Sequence, residues 1–205
     1  MVYDGIVIGL IIGLIRAGWR HGFAALSQIR IRGGWIFPAL LLVQFGVFYL
    51  TDKNEWIADY SGYMFLVVYA AGLYVLWLNR EEKGFWWIFA GVALNFIVMA
   101  ANGGKMPVSL EAASVLDPVY GQMLRDGSVV SKHALLTDST IVPFLGDIIP
   151  LTSPYPRSQV ISIGDVIMNV GIFIYLNNIM IAHKHRSSIV ESTDINTTKK
   201  GERSA

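Results

Sequence analysis

Five apolar segments alternate with polar connections along this chain of 205 residues, at residues 2–15, 35–50, 62–78, 85–101 and 166–182. A helix that crosses a bilayer needs about 20 mostly apolar residues, and a shorter one crosses when flanking side chains snorkel. Hydrophobic residues make up 54% of the chain and charged residues only 15%, which is too apolar for an ordinary soluble domain. We therefore predict an all-α integral membrane protein with about five transmembrane helices.

The predicted transmembrane domain covers residues 1–182 and contains one long external loop at 102–162 that is rich in proline and glycine. Within it, the stretch PFLGDIIPLTSPYPRSQVISIGD (143–165) holds four of the seven prolines and lacks helical periodicity. Irregular backbone at membrane depth is tolerated only where it packs in protein or lines a wet cavity. We expect this loop to dock over the mouth of the bundle, and the polar tail at 183–205 to be disordered in the cytoplasm.

The distribution of basic residues predicts the orientation. With the N-terminus outside, eleven lysines and arginines fall in the cytoplasmic segments and five fall outside. This bias agrees with the positive-inside rule. The predicted location is therefore a bacterial cytoplasmic membrane, crossed several times, with the N-terminus outside and the C-terminus inside.

Composition also excludes several kinds of site and partner. The chain has no cysteine, so it has no disulfide, thiolate nucleophile or cysteine-ligated metal. A net charge of +1 without an extended basic face gives no reason to expect nucleic acid. We predict no metal and no cofactor; the expected partners are the lipid bilayer and a lipid headgroup, a peptide or a small anion.

Six polar residues of the external loop are candidate binding residues. The stretch Asn102-Gly103-Gly104-Lys105 ends a helix and makes a turn, or offers backbone amides and an ammonium to an anion. His133 titrates near neutral pH when unperturbed, and it serves either as a structural hydrogen-bonding residue or directly in function. The full predicted binding set is Asn102, Lys105, Lys132, His133, Asp138 and Arg157.

Asp147 and Asp165 are the candidate catalytic residues, and each follows a glycine. Two carboxyls brought close cannot both ionise, and an aspartyl pair that shares a proton activates water. The alternative is structural: Asp165 or Ser162 caps the last helix, while Asp147 makes a turn or pairs with a nearby cation.

The strings NGGKMPVS, FLGDIIPL and VISIGD resemble those of a bacterial family of small multi-pass membrane proteins of unknown function. FLGDIIPL and SIGDVIMNVG are also similar in placement to the two motifs of lipoprotein signal peptidase (signal peptidase II). That resemblance implies a catalytic aspartyl pair, Asp147 and Asp165, and relates Asn95 to an element of the preceding helix. The chain departs from that family in having Ser162 where the second motif has asparagine, and in carrying an extra first span and a long insert.

Three functions follow as hypotheses. The first is a non-enzymatic binding, transport or assembly protein with an external cleft under residues 102–165, because few polar residues lie within the spans. The second is an aspartyl intramembrane peptidase, in which one aspartate acts as general base on water and its protonated partner polarises the scissile carbonyl. The third is a lipid-processing or lipid-flipping protein.

Overall fold

The computed structural model describes residues 2–51, 53–126, 132–156 and 158–202. This part of the chain forms eight α-helices and four short β-strands. The helices are α1 Val2–Ala17, α2 Trp19–Ser27, α3 Ile36–Thr51, α4 Glu55–Leu78, α5 Phe85–Ala101, α6 Leu110–Leu116, α7 Pro118–Arg125 and α8 Ile163–Glu202. The strands are β1 Met106–Val108, β2 His133–Leu135, β3 Ile149–Leu151 and β4 Gln159–Ile161.

The mainly helical fold is confirmed, and each predicted span coincides with one of the long helices α1, α3, α4, α5 and α8. Within the described residues, two helices are long and apolar enough to cross a membrane, over Trp56–Leu78 and Ile163–Val190. Ile36–Thr51 and Phe85–Ala101 are apolar but shorter. The number of crossings therefore stays a prediction.

Helix α8 is the centre of the bundle, and α1 packs against it through a row of glycines. A β-carbon on Gly5 would lie 2.6 Å from the carbonyl oxygen of Asn169, and one on Gly9 would lie 3.3 Å from Cα of Phe173. Gly13 meets the same face of α8 one turn further on. The GxxxGxxxG ridge thus lets two helix backbones approach closely, as small residues do in membrane proteins.

A second set of glycines joins α5 to α8. Gly91 faces Gly164, and a β-carbon on Gly91 would also lie 2.6 Å from the backbone nitrogen of Met168. Gly84 faces Gly171 in the same way, two helical turns away along both helices. α8 is therefore held between α1 and α5 by backbone contact on two sides.

The segment between α5 and α8 folds into a compact unit that we call the cap, which comprises the described residues 102–126, 132–156 and 158–162. Strand β1 pairs in parallel with β2, and β3 pairs antiparallel with β4. Ser109 and Asp117 begin α6 and α7, because their side chains accept hydrogen bonds from the first-turn amides of those helices. The sequence predicted this loop to be irregular, because its strands are only three residues long and carry no periodicity that would reveal them.

The C-terminal segment also differs from the sequence prediction. The fifth span was expected to end at 182 and the rest to be disordered, whereas α8 continues as one helix to Glu202. No proline or glycine interrupts residues 183–200, so nothing in the backbone ends the helix there.

Candidate functional site

The cap positions Asp147 beside β1. Its backbone N–H donates to the carbonyl of Pro107 at 2.8 Å, and its own carbonyl accepts from the amide of Ser109 at 3.0 Å. The residue is only 3% exposed. Its Oδ1 has no hydrogen-bond partner among the residues that the structure describes. A buried carboxyl oxygen without a donor is unusual in a folded protein, so this oxygen is a candidate contact for a ligand.

His133 lies next to this carboxyl. Its Nε2 is 3.7 Å from Oδ2 of Asp147, and its Nδ1 is 3.1 Å from the hydroxyl of Tyr120, within hydrogen-bond distance. Strand β2 supplies the histidine and α7 supplies the tyrosine. The phenol from α7, the imidazole from β2 and the carboxyl from the segment beside β1 thus form a row within the cap.

This row borders a cavity of about 350 Å³. Its lining combines apolar and polar side chains. They come from α6, α7, β1, β2 and β4, or from residues next to these elements. The lining residues are Val108, Leu116, Asp117, Tyr120, His133, Asp147, Ser158, Gln159 and Val160. A volume of this size suits a small molecule.

Burial sets the protonation states of the two central groups. It raises the pKa of Asp147 from 3.8 to about 8; the negative charge of Asp165 adds to the rise, and the Lys132 ammonium opposes it. Burial also lowers the pKa of His133 from 6.5 to about 4, with Lys132 acting in the same direction. At neutral pH the site therefore holds a protonated acid beside a neutral imidazole, and the 3.7 Å contact is not an ion pair.

Asp165 occupies a different environment at the start of α8. Its Oδ1 accepts a hydrogen bond from Nδ2 of Asn95 at 3.0 Å, and its Oδ2 accepts one from the amide of Ser162, also at 3.0 Å. The Ser162 hydroxyl in turn accepts from the amide of Asp165 at 3.0 Å. This reciprocal pattern is a capping box, with an added bond from α5 that fixes Asp165 in the bundle.

The structure brings the two predicted catalytic aspartates into the same region without joining them. Asp165 is close enough to raise the pKa of Asp147. In the described part of the chain, however, the hydrogen bonds of Asp165 go to Asn95 and Ser162, and Asp165 is not among the residues that line the cavity. This arrangement differs from an aspartyl pair that shares one proton.

The predicted binding residues fall into separate groups. Lys132 and His133 belong to the Asp147 site. Asn102 is a structural clamp, because its side-chain amide donates to the carbonyls of Val98 and Ile141 and accepts from the backbone amide of Ile141.

The other three predicted binding residues lie elsewhere. Lys105 is half-buried just before β1, and its backbone amide donates to the Asn102 carbonyl. Asp138 is exposed in a turn where Thr137 and Thr140 bond to each other. Arg157 lies outside the described residues.

Tyr120 belongs to the site but was not predicted from the sequence. A signal for it exists in Asp117-Pro118, since a capping aspartate followed by proline predicts a helix that starts there. Nothing in the sequence predicts that this helix packs against the strand that carries His133. In the described residues, no group of three histidine, aspartate or glutamate side chains is placed to hold a metal ion.

Comparisons with known proteins agree with part of this account. Residues 28–177 match the profile of a family of unknown function, DUF5317. An uncharacterised protein of Thermotoga maritima is 35% identical over 103 residues, which cover 50% of this chain and 55% of that protein. The match thus spans about half the length of this relative. No solved structure matches. The resemblance to a family of unknown function is confirmed, while the resemblance to signal peptidase II stays a prediction.

Proposed function

The chain belongs to the DUF5317 family of unknown function, and we propose that it is a multi-pass membrane protein that binds a small ligand in the cavity of an extracytoplasmic cap. The observation that carries the binding proposal is the buried Asp147 carboxyl at the wall of a cavity of about 350 Å³, where its Oδ1 has no partner in the part of the chain that the structure describes. Buried polar groups are normally paired, so a site built this way is suited to receive a donor.

Exposed apolar side chains support the membrane location. Only 28% of the apolar window in each of the two longest apolar helices is buried inside the protein. Large side chains on the long helices face outward, among them Ile8, Ile11, Leu41, Leu42, Phe45, Val67, Trp86 and Ile97. Water-soluble monomers rarely expose contiguous apolar patches of more than a few hundred Å². Lipid is the solvent that such a surface fits.

The shorter helices are compatible with crossings. Helices α1 and α3 have 16 residues and α5 has 17. At about 1.5 Å per residue each is about 25 Å long, a few ångströms short of a typical hydrocarbon core. Local thinning of the bilayer and snorkelling side chains make up such a difference at modest cost.

An aspartyl peptidase is the second candidate, and one observation favours it. Asp165 raises the pKa of Asp147, so a protonated carboxyl and a second carboxylate lie within electrostatic reach of each other. Two carboxyls held in unlike environments are typical of acid–base pairs. In this hypothesis Asp147 polarises the scissile carbonyl and Asp165 activates water. Asp147→Asn and Asp165→Asn would then each abolish activity, whereas the binding proposal requires only Asp147.

Cysteine labelling tests the proposed topology, because the chain has no native cysteine. Single cysteines are placed at Ser139 and Ser158 in the cap and at Glu81 in the turn between α4 and α5; all three positions are exposed. In intact bacterial cells, a membrane-impermeant maleimide should label the two cap variants. The Glu81→Cys variant should react only after permeabilisation.

The opposite labelling pattern would place the cap in the cytoplasm and remove the basis for an extracytoplasmic site. Recovery of the protein in the soluble fraction would contradict the membrane location itself. Reaction at Ser139→Cys without reaction at Ser158→Cys would show that the cavity is closed to the outside.

A further inference from the structure

We propose that the cap cavity binds the primary ammonium group of a small amphiphilic amine, with the Asp147 carboxylate as its principal partner. This inference rests on the proposed function of the cavity as a binding site, and it adds the chemical class of the ligand. An ammonium group carries three donors and no acceptor. It therefore matches a wall whose central group is a carboxyl oxygen that meets no donor from the described residues.

The charges of the lining select a cation over an anion. Asp147 lies in the wall, and Asp117 is exposed among the other lining residues. No lysine or arginine is among the described residues that line the cavity. A small anion would meet these carboxyl groups, and Lys132, the described cation that acts on Asp147, does not line the cavity. Of the partners predicted from sequence, a lipid headgroup that carries an amine fits this lining better than a small anion does.

Neighbouring side chains complete the polar side of the site. The neutral imidazole of His133, 3.7 Å from Asp147, and the hydroxyl of Tyr120 lie along the same wall. An ammonium group bound to Asp147 has two further donors to direct at such groups. The site thus places two polar side chains beside a head group bound to Asp147.

The remaining lining accounts for the apolar part of the ligand. Val108, Leu116 and Val160 contribute the hydrocarbon surface. A cavity of about 350 Å³ holds a short chain attached to the amine. A free alkylamine and the ethanolamine headgroup of a phospholipid share this chemistry.

Binding of an ammonium ion also requires a proton to leave. Below pH 8 the Asp147 carboxyl is protonated in the free protein, so its O–H bond breaks, the proton passes to solvent and the carboxylate pairs with the ammonium. The apparent affinity should then rise about tenfold per pH unit up to about pH 8. The titratable and charged groups around this carboxyl are Tyr69, Asp117, Tyr120, Lys132, His133 and Asp165.

Isothermal titration of the purified full chain in detergent tests the ligand class with three probes of one length: butylamine, butanol and butyrate. We expect butylamine to bind most tightly and butyrate least. Binding of butylamine should release one proton, measured from the heats in buffers of different ionisation enthalpy. The comparison uses the unmodified chain, so it does not depend on the folding of a variant.

Two variants locate the site. Asp147→Asn should weaken butylamine binding at least tenfold, while the exposed Asp138→Asn should bind as the parent chain does. In nanodiscs, competition by phosphatidylethanolamine against a phosphatidylglycerol background would identify the headgroup as the source of the amine. Unchanged butylamine affinity in the two lipids would identify a free amine; both results support the ammonium site.

Butyrate binding as tight as that of butylamine, or butylamine binding unaffected by Asp147→Asn, would overturn the proposal. So would the absence of butylamine binding by the folded chain. The Ser158→Cys label separates this failure from failure of the proposed function. If that cysteine reacts from outside the cell and butylamine does not bind, the accessible extracytoplasmic cavity stands and the ammonium ligand is wrong.

Discussion

The Asp147→Asn substitution should change the pH dependence of stability in a defined direction. Burial raises the pKa of Asp147 from 3.8 to about 8 in the folded protein. The folded state then holds this proton more tightly than the unfolded chain, so unfolding releases a proton anywhere between those values. The contribution of Asp147 to the free energy of unfolding therefore falls as the pH rises, by about 1.4 kcal/mol per pH unit.

His133 acts in the opposite direction over part of this range. Its pKa falls from 6.5 in the unfolded chain to about 4 in the folded protein. Between these values the unfolded chain binds more protons, so the His133 contribution rises with pH at the same slope. The two effects cancel from about pH 4 to pH 6.5, and only the loss from Asp147 remains between pH 6.5 and pH 8.

Over that upper interval the loss amounts to about 2 kcal/mol, from about 1.4 kcal/mol per unit. For a chain of this size it corresponds to a fall in melting temperature of about 4–8 °C. Thermal unfolding in detergent at pH 6.5 and pH 8, followed by fluorescence of the six tryptophans, measures it. In the Asp147→Asn variant most of this fall in melting temperature between pH 6.5 and pH 8 should disappear, whereas the Asp138→Asn variant should show the same fall as the parent chain. An equal fall in Asp147→Asn and the parent chain would refute a buried, protonated Asp147.

Two substitutions test the contacts that hold the bundle together. Asn95→Ala removes the hydrogen bonds to Asp165 and Ser162, at 3.0 and 2.8 Å. The free energy of unfolding should fall by about 2–4 kcal/mol, measured as a lower melting temperature. Asn178→Ala on α8 is the control, and equal effects of the two substitutions would contradict this hydrogen-bond network. Gly91→Leu should prevent the close approach of α5 and α8 and lower the amount of protein that accumulates in the membrane. Gly72→Leu is the control and should accumulate normally, because no atom lies within 4 Å of where a β-carbon on Gly72 would be. Wild-type levels of the Gly91 variant would contradict the packing.

The five long helices α1, α3, α4, α5 and α8 could be predicted because each contains a continuous apolar segment. Apolar length and glycine spacing are local properties, so the spans and the α1 ridge at Gly5, Gly9 and Gly13 are visible in the sequence. The second interface was missed although its signal is present. Gly84, which precedes α5, and Gly91 within it are seven residues apart, as are Gly164 and Gly171 on α8, and this spacing brings each pair to one side of its helix.

The site was only partly predictable because its residues come from distant segments. Asp147, His133 and Asp165 stood out by residue type and position, but sequence separation does not say which carboxyl is free and which is bonded. Ser162 and Asn95 take up the bonds of Asp165, and this follows only from the packing of α5 on α8. Tyr120 enters because α7 lies against β2, a contact between segments with no local signature.

Chemical modification of Asp147 is the most direct test of the central claim that a protonated carboxyl is buried in the cap. Dicyclohexylcarbodiimide reacts with protonated carboxyls in apolar surroundings, and mass spectrometry of peptides identifies the modified residue. At pH 6 Asp147 should be modified and the exposed Asp138 should not; at pH 9, above the pKa of about 8, modification of Asp147 should fall sharply. An unreactive Asp147 at pH 6, or equal modification at pH 6 and pH 9, would contradict the account.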